Sequence, residues 1–380
     1  MRSHCVPSSA TRPAQRDLRV DLLRGFALLT IFIDHSAGNI LSPLTLRNFG
    51  FCDAAELFVI LAGFSATLAY GKCFARDGIG TGLRRIGSRC LRLYLFQAGL
   101  LLATLLIVRA WLAQVQLDLP DLAVYVEHGL KGLRHGLKLQ ALPANVDVLP
   151  LYIILLALFP LVHLGMRFSR RATLAISAAV WLAANLVPGL NMTNWLDGRG
   201  WFFNPFAWQF LFVLGAWLAA AMAERGGGLP RLPSLAGASW AYLAFAFLAA
   251  APWAAWGLWD VHPIPMAAPD KTDLSLFRLL DILALVYLAL TSRRFALLAR
   301  SRWLSGIVAC GQHSLEVFSL GTLLSLVGRL LFATFGTSLL VQLVVDGLGL
   351  GALLALAWVL GKGALKARAA ALRPSLPGGA

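Results

Sequence analysis

Asp34 and His35 lie within the first long apolar run of the chain, LLRGFALLTIFIDHSAGNILSPL. An ionisable side chain inside a membrane span costs about 2.5–3.5 kcal/mol, so each one needs a partner or a task. A histidine with a pKa near about 6.5 can take a proton at neutral pH, and a carboxylate can orient its ring. At a rise of about 1.5 Å per residue from Phe26, His35 would lie roughly 14 Å into the span. Adjacent helical residues point about 100° apart, so Asp34 and His35 need not pair, whereas His35 and Asn39 share a face at i, i+4. Gly38 would admit a close neighbouring backbone. The plainer reading is that His35 hydrogen-bonds a neighbouring helix.

The second apolar run opens FGFCDAAELFVILAGFSATLAYG. Asp53 and Glu56 are three apart and share a face. They are catalytic candidates beside His35, or else a helix cap and a first-turn acid favoured by the macrodipole. Other polar residues fall at the same expected level: Arg47 and Asn48 in the first loop, Asn145 and Asp147 before the fourth span, and Asn204 and Gln209 opening the sixth. In the ninth span Gln312, His313, Ser314 and Glu316 lie within one and a half turns, and His313 reads either as a partner for Glu316 or as a second functional histidine. Asn39, Arg47, Asn48, Asp147, Trp201, Asn204, Trp208, Gln209, His313 and Glu316 are the candidates for holding a substrate. In GLRRIGSRCLRLYL, Arg85 and Arg89 are four apart with Arg84 and Arg92 nearby, which suits an anion clamp as well as a plain topology signal.

These side chains need elements to carry them, and the composition says which. Hydrophobic residues make up 58% of the 380 and charged residues only 13%, against about 25% charged in soluble domains. Lipid is therefore the solvent. Apolar runs near 22–42, 54–70, 93–113, 149–166, 172–189, 205–223, 236–257, 275–292, 311–333 and 338–360 predict an all-α, multi-pass protein of about ten transmembrane helices. Most of the Lys and Arg behind the net charge of +15 cluster in loops that a cytoplasmic N-terminus leaves inside, so both termini are expected there and nucleic acid is not the partner. The first stretch lacks an apolar core and reads as a cytoplasmic tail, 1–18, rather than a signal peptide. A single membrane domain is expected over 19–362, followed by a tail over 363–380. Cys5, Cys52, Cys73, Cys90 and Cys310 form no C-x-x-C pair, so neither a disulfide framework nor a metal site is expected. Trp195, Trp201 and Trp208 suit interfacial anchoring, and also stacking on a sugar.

The segment from Arg19 to Gly71, RVDLLRGFALLTIFIDHSAGNILSPLTLRNFGFCDAAELFVILAGFSATLAYG, strongly resembles the start of the OpgC family, the succinyltransferase of osmoregulated periplasmic glucans. NVDVLPLYIILLALFP at 145–160, FNPFAWQFLFVLG at 203–215 and GQHSLEVFSLG at 311–321 follow the same pattern. Cys52 stands where the family usually has serine, and ILAG at 60–63 replaces an F-L-S-G run.

The resemblance implies a ten-helix acyltransferase of the bacterial inner membrane, related to the acyltransferase-3-like enzymes. It implies transfer of an acyl group, succinyl or acetyl, from cytosolic acyl-coenzyme A to a glycan hydroxyl at the outer face. His35 would be the base, and Arg85, Arg89 and Arg92 would face the donor. Asp34, Asp53 and Glu56 are the carboxylates that could orient His35, and Asn39 or a backbone N–H could face the oxyanion. No permanently bound cofactor is implied, and a homo-oligomer is left open. The rival reading is a proton-coupled transporter using the same acids and histidine as a relay.

Overall fold

The computed structural model describes residues 17–115, 127–143 and 145–371. Most of the expected N-terminal tail, Cys5, part of the 114–148 loop and the chain beyond 371 lie outside them. Within the described residues the protein is a bundle of helices. These are α1 (Leu18–His35), α2 (Ala54–Arg76), α3 (Gly78–Leu112), α4 (Gly129–Leu137), α5 (Val148–Phe168), α6 (Arg170–Leu186) and α7 (Pro205–Glu224). They continue with α8 (Pro233–Ala250), α9 (Leu276–Thr291), α10 (Arg293–Leu298), α11 (Ser305–Gln312), α12 (Ser314–Phe335) and α13 (Leu339–Ala371).

Seven of these helices are long and apolar enough to cross a bilayer: α2, α3, α5, α7, α8, α12 and α13. The other three expected spans coincide with α1, α6 and α9, which have 18, 17 and 16 residues. α1 also carries Arg19, Asp21, Arg24 and Asp34, which lower its hydropathy.

Two expected boundaries shift. The first span was expected to run to 42, but α1 stops at His35 and Gly38 adopts φ +90°. A left-handed turn of this kind breaks a helix. The ninth span was expected to begin at 311, but the helix breaks at His313, between α11 and α12.

Lipid supplies no hydrophobic drive between helices, so close packing must hold them together. Reciprocal glycines do this at two crossings. A Cβ on Gly63 of α2 would lie 1.9 Å from the Phe212 carbonyl oxygen, and one on Gly215 of α7 would lie 1.9 Å from that of Ile60. Gly25 of α1 and Gly311 of α11 meet the Ile307 and Asp21 carbonyl oxygens at 1.8 Å in the same way. Around these crossings Leu57, Ile60, Phe159, Trp208 and Phe212 are fully buried.

The two ends of the bundle differ. One gathers the C-terminus of α1 with the N-termini of α2, α5, α7 and α9, joined by polar loops. The other carries Arg76, Arg84, Arg85, Arg167, Arg170 and Arg171. α13 runs from Gln342, bonded to Gly38, back to Leu354 against Gly306. α1 therefore begins and α13 finishes toward the same, basic end.

Candidate active site

His35 is the last residue of α1, where the backbone leaves the helix. It is not at the extremity of the bundle. Ser36 lies beside Gly328, and α12 continues from there to Phe335, about 10 Å further. The segment 36–53, with short 3-10 turns at Ser42–Leu44 and Leu46–Asn48, buries Ser36, Asn39 and Thr45 among the helices, where their polar groups require partners inside the protein.

Side chains of that segment and its neighbours supply them. Thr45 Oγ1 donates to Asp34 Oδ1 at 2.6 Å, and Arg47 Nε stands 3.3 Å from the same oxygen. Arg47 also donates to Ser42 Oγ at 2.6 Å, and Asn48 Nδ2 donates to the Ser42 carbonyl at 2.6 Å. Asn39 Nδ2 donates to Asp346 Oδ1 of α13 at 2.6 Å. The expectation that Asn39 shares a helical face with His35 is corrected, because the helix ends before it. Its amide joins the loop to α13.

Asp53 and Glu56 form a capping box: Asp53 Oδ1 accepts from Ala55 N–H at 2.8 Å, and Glu56 Oε2 accepts from Asp53 N–H at 2.9 Å. Both carboxylates also meet cations that sequence reasoning did not single out. Arg278 of α9 donates through Nε to Glu56 at 2.6 Å and through Nη2 to Asp53 at 3.3 Å, while Lys271 bonds Asp53. Glu56 has no exposed surface. Burial opposes the charge on Asp53, but Lys271 and Arg278 outweigh it and hold this carboxyl below the usual range. One helical turn beyond Arg278, Asp281 accepts from the N–H groups of Phe51 and Cys52, both at 2.7 Å, and so fixes the turn into α2. Arg278 and Asp281 are ionisable residues in an apolar run. The rule that pointed to His35 would have found them.

Each acid near His35 therefore has another partner. His35 Nδ1 is buried and makes no hydrogen bond. Lys271, Asp53 and Arg47 all lie close enough to act on the charge of its ring. Lys271 also acts on Asp147, whose carboxyl burial pushes up to about 6.

The remaining candidates divide. Asn204 caps α7, accepting from Phe206 N–H at 3.0 Å and donating to Leu190 O and Asp273 Oδ1 at 2.8 and 2.6 Å. Gln209 exchanges hydrogen bonds with Ser177 across α6 and α7 at 2.6 and 2.8 Å. The Trp208 indole is buried and donates to the carbonyls of Lys271 and Thr272. These three side chains hold helices and loops together, and the buried Trp208 presents no face for stacking. Trp195 lies flat on His135, ring centroids 4.0 Å apart. Trp201 is buried and lines a cavity at the polar end.

Glu316 pairs with Arg92 of α3 rather than with His313. The break at His313 takes the two off a common helical turn. Arg85 reaches Asp77 at 3.1 Å. Arg89 lines a small cavity of about 40 Å³ between α2, α3, α5 and α12, with Phe58, Tyr152 and Phe318. The three arginines thus follow α3 from the basic end inward, but face different partners.

Residues 16–363 match the family described as OpgC protein. The chain belongs to the OpgC family. No curated protein and no solved structure matched it in the corresponding comparisons. The match covers every candidate residue from Asp34 to Glu316, together with Lys271, Arg278 and Asp281. Membership suggests a membrane acyltransferase of glucan modification.

Proposed function

We propose that this protein is a multi-pass O-acyltransferase of the bacterial inner membrane. It moves an acyl group, succinyl in the first instance, from cytosolic acyl-coenzyme A to a hydroxyl of a periplasmic glucan. The reading rests on family membership and, within the fold, on one observation: the buried ring nitrogen of His35 without a hydrogen bond, at the broken end of α1. Buried polar atoms are nearly always paired, so an unpaired one calls for an explanation, and a catalytic role is one that fits a histidine here.

In the proposed reaction the acceptor hydroxyl oxygen attacks the thioester carbonyl carbon while its proton passes to the His35 ring. The tetrahedral intermediate then collapses with loss of the carbon–sulfur bond. Coenzyme A leaves as the thiol, taking the proton back from the imidazolium. Lys271 and Arg47 act on the charge of the His35 ring, and Asp53 acts with the opposite sign; either cation would stabilise an oxyanion formed beside it. Arg85, Arg89 and Arg92 would draw the anionic donor toward the bundle from the basic end.

The test is thiol release by the purified protein given succinyl- or acetyl-coenzyme A and a periplasmic glucan. His35→Ala should abolish acylation while the protein still purifies as a folded, monodisperse species. Undiminished acylation by that variant removes His35 from the chemistry. No glucan-dependent thiol release from either donor by the wild-type protein overturns the reading.

A further inference from the structure

Between α9 and α11 the chain crosses the basic end of the bundle as a strap over residues 292–304, SRRFALLARSRWL. Local hydrogen bonds shape it. Ser292 accepts from Phe295 N–H at 3.1 Å and caps α10, and Ser301 accepts from Trp303 N–H at 3.3 Å at a 3-10 turn over Arg302–Leu304. One side of the strap faces the protein. Phe295 and Ala299, four apart, pack with Leu304 against Leu18 and Leu22 of α1 and Ile307 and Val308 of α11. Arg19 of α1 donates to the carbonyl of Leu290 in the last turn of α9, which ties the root of the strap to α1 as well.

The other side suits neither water alone nor the acyl core alone. Leu297 is 69% and Trp303 81% exposed, and Leu298 is exposed beside them. Arg293, Arg294, Arg300 and Arg302 are exposed among these apolar side chains. Arg294, Leu297 and Leu298 share a helical face at i, i+3 and i+4. No acid occurs from Ile282 to Leu315, and Asp17, at the start of α1, is taken by Arg19. Among the described residues none of the four arginines forms an ion pair. Apolar side chains and unpaired cations on one face are the pattern of a segment lying in the plane of a membrane interface. There leucine enters the acyl boundary, tryptophan sits at the headgroup level and arginine reaches the phosphates. Guanidinium forks match phosphate oxygens. Free phosphate would leave the leucines and Trp303 in water, and a second copy docked strap on strap would set arginine against arginine.

We propose that the outer side of this strap is a docking surface for anionic phospholipid in the leaflet at the basic end. The four arginines take the headgroup phosphates, and Leu297, Leu298 and Trp303 enter between the chains. Bound lipid presses the strap against the first turns of α1, the helix that ends at His35. The inference stands on the strap alone and does not depend on the acyl-transfer reading.

The experiment adds phosphatidylglycerol or phosphatidylcholine, with the same acyl chains, to the full chain in detergent and counts bound lipids by native mass spectrometry. The wild type should retain phosphatidylglycerol at a concentration at least about 10-fold lower than phosphatidylcholine. Arg293→Gln/Arg294→Gln/Arg300→Gln/Arg302→Gln should lose that preference, and Arg293→Gln/Arg294→Gln and Arg300→Gln/Arg302→Gln should each lose part of it. Trp303→Ser should weaken retention of both lipids. Lys72→Gln/Arg171→Gln/Arg225→Gln/Arg231→Gln, which removes four exposed charges elsewhere, should keep the preference. No preference in the wild type overturns the proposal, as does a full preference in the strap variants, the two pairs included. An equal loss in the variant with charges removed elsewhere assigns the effect to overall charge and overturns it too. A wild-type dimer that Trp303→Ser dissociates, with no lipid preference, makes the strap a contact between copies instead.

Discussion

Lys271, in the segment that leads into α9, reaches across to the carboxylate of Asp53, the residue that caps α2. This contact joins two parts of the chain that are far apart in sequence. It anchors a second cation, besides Arg47, that acts on the charge of the His35 ring.

Lys271→Ala is therefore expected to slow acyl transfer by at least about 10-fold. Asp53 keeps Arg278 as a partner, so the stability loss should be modest, about 1–2 kcal/mol, below the cost of stranding a fully buried charge. Lys271→Arg should recover part of the rate. Turnover and thermal unfolding of the three proteins, measured together, check this; an unchanged rate in Lys271→Ala would confine the lysine to a structural role.

Arg278→Ala should be far more damaging to stability. It leaves Glu56 wholly buried without its cation, a situation that costs about 3–5 kcal/mol. Arg278→Lys should rescue only partly, since an ammonium cannot reproduce the fork that serves both Glu56 and Asp53. Adding Glu56→Gln to Arg278→Ala should restore much of the loss, because the stranded charge is gone. Melting temperatures in one detergent decide it; a single variant as stable as the wild type contradicts the pairing.

The arginines of α3 should separate by partner. The Arg85–Asp77 pair is exposed, so Arg85→Ala should change stability by less than about 1 kcal/mol. The double variant Arg85→Ala/Arg89→Ala should weaken the apparent affinity for the acyl donor, and more so at low ionic strength. Unaltered donor affinity in the double variant would reduce these residues to signals of topology.

Asp147 gives a pH prediction. Its folded-state pKa, raised by burial to about 6, lies above the unfolded value, so the fold favours the neutral acid. The associated stability is complete below about pH 4 and is lost as pH rises through 6. Asp147→Asn removes this titration. Relative to the wild type it should gain up to about 2–3 kcal/mol at pH 8, and about nothing more at pH 4. Unfolding followed at both pH values tests the sign, and a gain confined to pH 4 would reverse it.

The apolar runs placed a helix at each expected span, because hydrophobic length is a local property of the chain. His35 and Glu56 could be picked out for a similar reason: an ionisable group in an apolar run is conspicuous by itself. The ends of α1 and the split between α11 and α12 were less visible. Gly38 adopts its left-handed turn, and His313 its break, within a packed environment that local pattern does not encode.

Partner choice was the least legible. Sequence spacing offered His313 to Glu316 and Asn39 to His35, both four residues apart or closer. The fold gave Glu316 to Arg92 and Asn39 to Asp346, separated by hundreds of positions. The sequence by itself determined the solvent, the helical class and the family pattern, since each follows from residue type and short-range order. The tertiary structure alone decided which charges neutralise one another, that Lys271 and Arg278 belong with Asp53 and Glu56, and that a His35 ring nitrogen is left without a bond. A charge in lipid must find its counterpart wherever the packed helices bring one within reach, and that distance is set by the fold.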